Sequence, residues 1–347
     1  MLRQPCYKCE KKGVGVKMEK SVAEEGNRSL TVDIIIPVYK PDHSFKHLLE
    51  RLIRQSVKPN RIYLLQTIED DPAKQSEELR KSEGDIISLV QALNDSCSLI
   101  QCVPIDKSDF DHGGTRNYGA HLSDADIIMF MTQDAIPEDK ELVRSLLEPF
   151  QNPQVAAVYG RQLPRKNAGT IEKYTRTFNY PEESSMKSKE DLPRLGIKTY
   201  FCSNVCSAYR KEVYDELGGF VTKTIFNEDM IMASAIIQAG YFIAYAADAK
   251  VAHSHEYTYI QQFKRNFDLA VSQQQYKEVF SAVKSESEGI KLVKQTAKYL
   301  ADEKKYILIP DLIFQSGFKY LGYLAGKNYE RIPKSIIKKL SMNPHYW

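Results

Sequence analysis

The sequence predicts an α/β fold: a mostly parallel, Rossmann-like sheet with helices on both faces, followed by a helical, basic C-terminal extension. Three observations predict it. Short, nearly continuous apolar runs, of the kind that form strands buried on both faces, recur through the first half of the chain. Segments with apolar residues at helical spacing lie between them. Strand and helix therefore alternate, which is the crossover pattern parallel strands require.

The elements follow in order. Val32-Asp33-Ile34-Ile35-Ile36-Pro37-Val38-Tyr39 is the first strand, with Pro37 marking its C-terminal end. Phe45, Leu48, Leu49, Leu52 and Ile53 then fall at i, i+3, i+4, i+7 and i+8, one face of a helix. Ile62–Ile68 and Leu99–Ile105 read as the second and third strands, with a helix over Asp85–Leu93 between them. Ala125–Thr132 is a fourth buried strand, Glu138–Phe150 an amphipathic helix and Val155–Gly160 a fifth strand. Met230, Ile231, Ala233, Ile236 and Ile237 mark a later helix. Beyond His255 the pattern turns helical, with Phe263, Phe267, Leu269, Ile290 and Leu292 and a tyrosine-rich stretch from Lys319 to Tyr329. Three regions result: a tail over 1–28 without periodicity, a sheet domain over 29–255 and a helical region over 256–347.

Composition excludes other classes. With 347 residues, 42% hydrophobic and 27% charged, the chain is not collagen-like, coiled-coil or largely disordered. Its apolar runs, such as Ile127–Met131, fall far short of the ~18 residues of a membrane span. Met1–Lys20 is lysine-rich with no apolar core, so an intracellular, cytoplasmic protein is expected. Cys6-x-x-Cys9 has no second Cys/His pair at finger spacing, and Cys97, Cys102, Cys202 and Cys206 are expected as reduced thiols in or near the core. The net charge of +3 hides an asymmetry, because residues 290–347 carry eleven Lys/Arg against four Asp/Glu. An anionic surface such as a membrane leaflet is one reading of that surplus, and a solvated helical face is the other. Nucleic acid is not expected as a partner, since the surplus is confined to this segment and no binding motif accompanies it.

In parallel sheets ligands bind at the carboxyl ends of strands, so polar residues just past the apolar runs are the candidates. Thr132-Gln133-Asp134 follows the fourth strand, where a carboxylate holds a divalent cation or caps the next helix. Phe226-Asn227-Glu228-Asp229 opens a helix with two acids, as a cleft-edge general base or simple capping requires. In Val251-Ala252-His253-Ser254-His255, extended backbone puts both imidazoles on one face, which favours a metal. Asp109 to Gly119 holds Gly113-Gly114-Thr115-Arg116-Asn117, two glycines and an arginine at a helix start, which fits an anion site. It matches neither the dinucleotide nor the P-loop fingerprint, so those enzyme classes are disfavoured.

Taken in order, these pieces resemble the inverting family 2 glycosyltransferases of the GT-A fold over about residues 30–255. The wording Phe110-Asp111-His112-Gly113-Gly114-Thr115-Arg116-Asn117, Thr132-Gln133-Asp134-Ala135 and His253-Ser254-His255 is similar to the rhamnosyltransferase branch, as is the ending Leu340 to Trp347. The resemblance makes residues 29–255 the catalytic, nucleotide-sugar-binding domain and residues 256–347 an acceptor or membrane contact. It implies that Pro37 and Tyr39 line the base pocket, that Arg116 lies near the diphosphate or the base, and that Gln66, Asn117 and Glu228 bind substrate. Asp134 matches the last acid of the family's metal motif, with His253 as its late histidine and His255 beside it, for Mg2+ or Mn2+. Asp229 matches the general base. Thr132 stands where the family's first motif acid would be, and Gln66-Thr67 where many relatives carry two aspartates.

The implied reaction is transfer of a sugar, L-rhamnose from dTDP-L-rhamnose, to a hydroxyl of a bacterial surface polysaccharide or polyprenyl-linked glycan. The mixed apolar and basic segment Ile332–Leu340 is the expected membrane contact, on the inner face of the cell membrane. A UDP-hexose donor, a metal-dependent nucleotidyltransferase and a non-catalytic nucleotide-sugar-binding protein are the competing readings.

Overall fold

Nine strands pair into one sheet in the computed structural model, which describes residues 29–69, 77–281 and 286–347. The tail over 1–28, with Cys6 and Cys9, lies outside the described residues. The strands are β1 (Val32–Val38), β2 (Arg61–Ile68), β3 (Ile100–Asp106), β4 (Ile127–Met131), β5 (Ile136–Pro137), β6 (Val155–Leu163), β7 (Ser185–Lys187), β8 (Cys206–Arg210) and β9 (Phe242–Ala252). Their spatial order is β3-β2-β1-β4-β8-β6-β9-β5, with β7 also paired to β9. β1 to β4 are mutually parallel, and β6 and β9 run the same way. β8 is inserted antiparallel between β4 and β6, while β5 and β7 are short antiparallel additions to β9.

The continuous apolar run of β1 follows from burial on both faces. Ile34 and Ile36 point into one core with Leu48, Leu49, Leu64 and Met129, and Ile35 into the other with Tyr63, Leu65 and Phe130. The second core is aromatic: Phe130, Tyr209, Tyr214 and Phe220 meet with ring centroids 5.1 to 5.9 Å apart.

Several elements depart from the sequence reading. The helix expected over Glu138–Phe150 starts only at Leu142, because Ile136-Pro137 first pairs with β9 and Asp139 Oδ1 accepts from the Glu141 N–H. The helix expected over Asp85–Leu93 extends over Glu77–Cys97. β8 and β9 had no strand signal. β9 carries five alanines in eleven residues, a composition with low strand propensity, and becomes a strand by pairing with β6, β5 and β7.

The C-terminal region wraps back onto the sheet domain. Helix Tyr259–Gln275 sends Phe267 and Val271 into a cluster with Ile225, and helix Ile309–Lys327 packs along it. Ile337 of helix Lys334–Leu340 is buried in the same cluster, and Ile332 and Leu340 pack against it. The segment expected as a membrane contact therefore turns most of its apolar residues inward.

Candidate active site

One edge of the sheet gathers the chemistry. The turn Thr132-Gln133-Asp134 follows β4, His253 and His255 follow β9, Gln162 lies near the end of β6, and Asn204 precedes β8. Because β8 runs antiparallel, its start lies at the edge where its parallel neighbours end. Two clefts open there. The larger, of 680 Å³, has Tyr39, Thr67, Phe110, His112, Phe226 and Arg265 among its walls. The smaller, of 480 Å³, has Lys40, Asp42, Thr132, Asp134, His253 and His255. Tyr257 and Arg265 line both.

The smaller cleft holds the residues suited to a cation. Asp134 Oδ2 lies 3.5 Å from His253 Nε2 and 3.2 Å from His255 Nε2, and one ligand atom from each of the three comes within 4.8 Å of the others. The Nδ1 of His253 is 3.0 Å from Gln162 Oε1, which turns Nε2 toward Asp134. Gln162 is itself held by Arg176 and by the Ser203 hydroxyl. Burial pushes His253 down to about 3 against the pull of Asp134, so its imidazole is neutral, the form that ligates metals. Burial lowers His255 as well. Arg165 donates to the Asp134 carbonyl at 3.1 Å and steadies the turn. The Thr132 hydroxyl is buried with no hydrogen-bond partner among the described residues. One carboxylate and two imidazoles, preset by a second layer of hydrogen bonds, fit a divalent cation.

A carboxylate pair opens helix Glu228–Gln238. Asn227, left-handed at φ 66°, makes the sharp entry, and its amide donates to the Leu269 carbonyl at 3.3 Å. Glu228 Oε1 is 3.3 Å from Arg116 Nη1 and Asp229 Oδ2 accepts from the Asn204 N–H at 3.3 Å. Burial opposes the charge on Glu228, but Arg116 and His112 outweigh it and hold its carboxyl below the ordinary value. Burial and the neighbouring Glu228 charge instead push Asp229 up to about 7. Two adjacent acids are thus separated into a fixed anion and a group that exchanges a proton near neutrality.

The other candidates divide. Tyr39 lines the larger cleft, and its backbone is clamped by Gln133, which accepts from Tyr39 N–H at 2.8 Å and donates to its carbonyl at 3.0 Å. Pro37 lies within β1, one residue before the strand's end. Gln66 is buried, and by strand alternation its neighbour Thr67 is the residue that faces the cleft. Arg116 donates to the His112 carbonyl at 2.8 Å as well as pairing with Glu228, so it supports the carboxylate pair. Asn117 accepts from Tyr214 Oη and Phe220 N–H and donates to the Phe220 carbonyl at 2.8 Å, which makes it a brace between two segments. The expected anion site at Gly113-Gly114 is otherwise used. The Gly114 N–H is capped by Asp111 Oδ2 at 2.6 Å, and a Cβ on Gly113 would lie 1.9 Å from the Val221 carbonyl oxygen.

Sequence reasoning missed three residues. Asn204 is buried, with its backbone on Asp229, its amide nitrogen 3.4 Å from Glu228 Oε1 and its amide oxygen accepting from Ser207 and Tyr209. Gln162 orients His253. Arg265 lies over the Phe226 ring at 4.6 Å and within 5.8 Å of the Tyr257 ring, at the seam between the clefts.

With this geometry in hand, the comparisons with known proteins decide the family. A profile of glycosyl transferase family 2 matches residues 33–218, more than half of the chain. The chain belongs to glycosyl transferase family 2. Two relatives place it further within family 2. It is 37% identical over 328 residues, 92% of this chain and 96% of the other, to the O-antigen chain rhamnosyltransferase RfbN of Salmonella typhimurium. It is 42% identical over 255 residues, 71% of this chain and 78% of the other, to the O-antigen chain rhamnosyltransferase WbaN of Salmonella anatum. The solved structure of the mannosyltransferase PcManGT from Pyrobaculum calidifontis, in complex with GDP-Man and Mn2+, aligns at a TM-score of 0.57 and 12% identity, covering 90% of this chain and 91% of the other. This likeness shows the shared GT-A architecture. The protein is a glycosyltransferase of the rhamnosyltransferase-like type.

Proposed function

We propose that the protein transfers L-rhamnose from dTDP-L-rhamnose to a hydroxyl of a growing O-antigen-type polysaccharide, inverting the anomeric carbon. The observation that carries this is the pairing, at one sheet edge, of the Asp134–His253–His255 cluster with an aspartic acid poised near neutrality. The sugar assignment rests on the two rhamnosyltransferases, aligned over most of this chain.

Asp229 takes the proton of the acceptor hydroxyl as its oxygen bonds to the anomeric carbon, while the carbon–oxygen bond to the diphosphate breaks and dTDP departs. General base catalysis of this kind contributes about 10²–10⁴-fold. Asn204 orients Asp229, and Arg116 keeps Glu228 ionised beside it. Lys40 and Arg265 face the smaller cleft and stabilise charge growing on the leaving diphosphate. Asp134, His253 and His255 would hold the divalent cation, which supplies further charge stabilisation at the diphosphate when bound. Two imidazoles in the set suit Mn2+ better than Mg2+, which prefers oxygen.

A lipid-linked acceptor places the protein at the inner face of the cell membrane as a peripheral partner. The surface suited to that is helix Ile309–Lys327, where Ile313, Phe314, Tyr320 and Leu321 are exposed.

The deciding experiment incubates purified protein and Mn2+ with a polyprenyl-linked glycan acceptor and dTDP-rhamnose, UDP-glucose, UDP-galactose or UDP-GlcNAc. Transfer from dTDP-rhamnose, with at least a hundredfold loss in Asp229→Asn and nearly unchanged donor affinity, is the expected result. Preference for a UDP-sugar removes the rhamnose assignment, and full turnover by Asp229→Asn removes Asp229 as base.

A further inference from the structure

The last seven residues, Ser341–Trp347, return across the helical region to the sheet edge. Met342, Asn343, His345 and Tyr346 form part of the wall of the larger cleft, together with Tyr39 and Thr67 from the strand ends. This segment is tied down at several points. Asp268, buried on helix Tyr259–Gln275, accepts from the Met342 N–H at 2.8 Å. Tyr346 Oη donates to the Lys223 carbonyl at 2.9 Å and lies 3.2 Å from Gln275 Oε1. The Trp347 ring meets Tyr329 at 5.7 Å and Tyr346 at 5.3 Å, and packs against the cluster of Ile225 and Phe267.

The tether on Lys223 connects the strap to the carboxylate pair. Residues 223–227 lead into Glu228, and both Lys223 (φ 56°) and Asn227 (φ 66°) are left-handed, a conformation asparagine adopts readily but lysine does not. Tyr346 holds the first of them through its carbonyl, and the Thr224 and Ser272 hydroxyls donate to the Phe226 carbonyl within the same segment.

The donor's layout says which part of it meets the strap. Arg265 and Tyr257 stand where the two clefts join, and the cation-binding cluster lies in the smaller one. A diphosphate at that seam leaves its nucleoside to the larger cleft, where Phe110 and Tyr39 offer rings and Asn343 and His345 offer polar groups. The 680 Å³ volume is in the range of small-ligand pockets.

We propose that the carboxyl-terminal strap is a working part of the active site: Asn343 and His345 contact the nucleoside of the nucleotide-sugar donor, and Tyr346 positions the segment that presents Glu228 and Asp229. The proposal rests on the donor reading above and adds to it the element that grips the nucleoside. Asp268 and Tyr346 act through the backbone they hold, as positioning residues.

Trp347 is the sole tryptophan of the chain, so its emission reports on the strap in the unmodified protein. Titrating the full chain with dTDP, UDP and GDP in the presence of Mn2+ should give a saturable change in that emission with the nucleotide that calorimetry shows to bind. The double variant Asn343→Ala/His345→Ala alters partly or fully exposed side chains and should fold normally. It should raise the donor KM and the dissociation constant of the bound nucleotide at least fivefold, with the acceptor KM unchanged. Tyr346→Phe should lower kcat at least threefold with donor KM unchanged, because it frees the Lys223 carbonyl and leaves the wall in place. A full chain that binds one of the nucleotides while the double variant binds it equally well overturns the strap's role and leaves the donor reading intact. A Tyr346→Phe variant with wild-type kcat overturns the positioning role. A full chain that binds none of the three overturns the donor reading and this proposal with it.

Discussion

Glu228 and Asp229 are neighbours in the chain with opposed electrostatics, and the surroundings of each explain why. Burial opposes ionisation of Glu228, yet Arg116 at 3.3 Å and the nearby His112 hold it ionised. Burial raises Asp229, and the Glu228 charge raises it further, to about 7. The base proposed above must be deprotonated to act, so kcat/KM should climb tenfold per pH unit below 7 and level off above it. Glu228→Gln removes a like charge beside Asp229 and should move that inflection down by about 1 unit. A profile unmoved by the substitution would mean that the titrating group is not Asp229. The same raised value has a consequence for stability. The folded chain holds this proton more tightly than the unfolded chain, whose aspartate titrates near 3.8, so the stability it carries is present in acid and lost as pH rises through about 7. Asp229→Asn should therefore raise the melting temperature at pH 8 relative to wild type and have little effect at pH 4. At the cation cluster, Gln162→Leu leaves all three candidate ligands in place but removes the acceptor that orients His253. Mn2+ affinity, measured by titration calorimetry, should fall about 10–100-fold. Asp134, His253 and His255 were visible in the sequence because each stands just past an apolar run. Gln162, Asn204 and Arg265 were not, since Gln162 meets His253 only when β6 pairs with β9, Asn204 meets Asp229 only in the fold, and Arg265 meets Phe226 only when its helix packs back on the sheet domain.

At the scale of elements, what could be read from the chain depended on how local the stabilising contacts are. β1, β2 and β4 are buried on both faces and announce themselves as apolar runs. β9 does not, because its alanines allow close approach to β6: a Cβ on Gly160 would lie 2.6 Å from the Ala249 carbonyl oxygen. Close approach also defines the helix pair Tyr259–Gln275 and Ile309–Lys327. A Cβ on Gly322 would lie 2.1 Å from the Phe263 carbonyl oxygen, and one on Gly326 2.3 Å from that of Phe267. Backbone cannot yield as a side chain tip does, so Gly326→Ala must push the helices apart. It should cost about 1–3 kcal/mol in denaturant unfolding. Gly317 lies in the same helix with nothing within 4 Å of its added Cβ. There Ala should stabilise by up to about 1 kcal/mol through helix propensity. Equal effects at the two positions would show that the pair is not close-packed at Gly326.

On the scale of the whole molecule, the basic C-terminal region suggested a membrane contact through Ile332–Leu340, and the surface proposed above for that contact is a different one. Ile337 is buried, so helix Lys334–Leu340 serves the interior. A denser group of exposed apolar side chains is Ile307 (88% exposed), Ile313 (62%), Phe314 (58%), Tyr320 (61%) and Leu321 (56%), whereas helix Lys334–Leu340 exposes Ile336 alone among its isoleucines. Ile313 and Tyr320 are seven residues apart on one helix, as are Phe314 and Leu321, so they form two adjoining stripes of a single face. Lys304, Lys305 and Lys327 flank it in sequence, the arrangement that lets an amphipathic surface seat its apolar side chains in a leaflet and its cations on anionic headgroups. No described helix is long and apolar enough to cross a membrane. The protein should sediment with vesicles containing phosphatidylglycerol, less so with neutral vesicles, and less again in 0.5 M salt, at about 1 kcal/mol per lysine engaged. Phe314→Glu/Leu321→Glu should release it from the vesicles at least tenfold while transfer to a water-soluble glycan acceptor continues at its normal rate, since neither residue lines the clefts. Vesicle binding that survives the double substitution would move the contact elsewhere. Transfer that fails on the soluble acceptor would instead tie this face to catalysis.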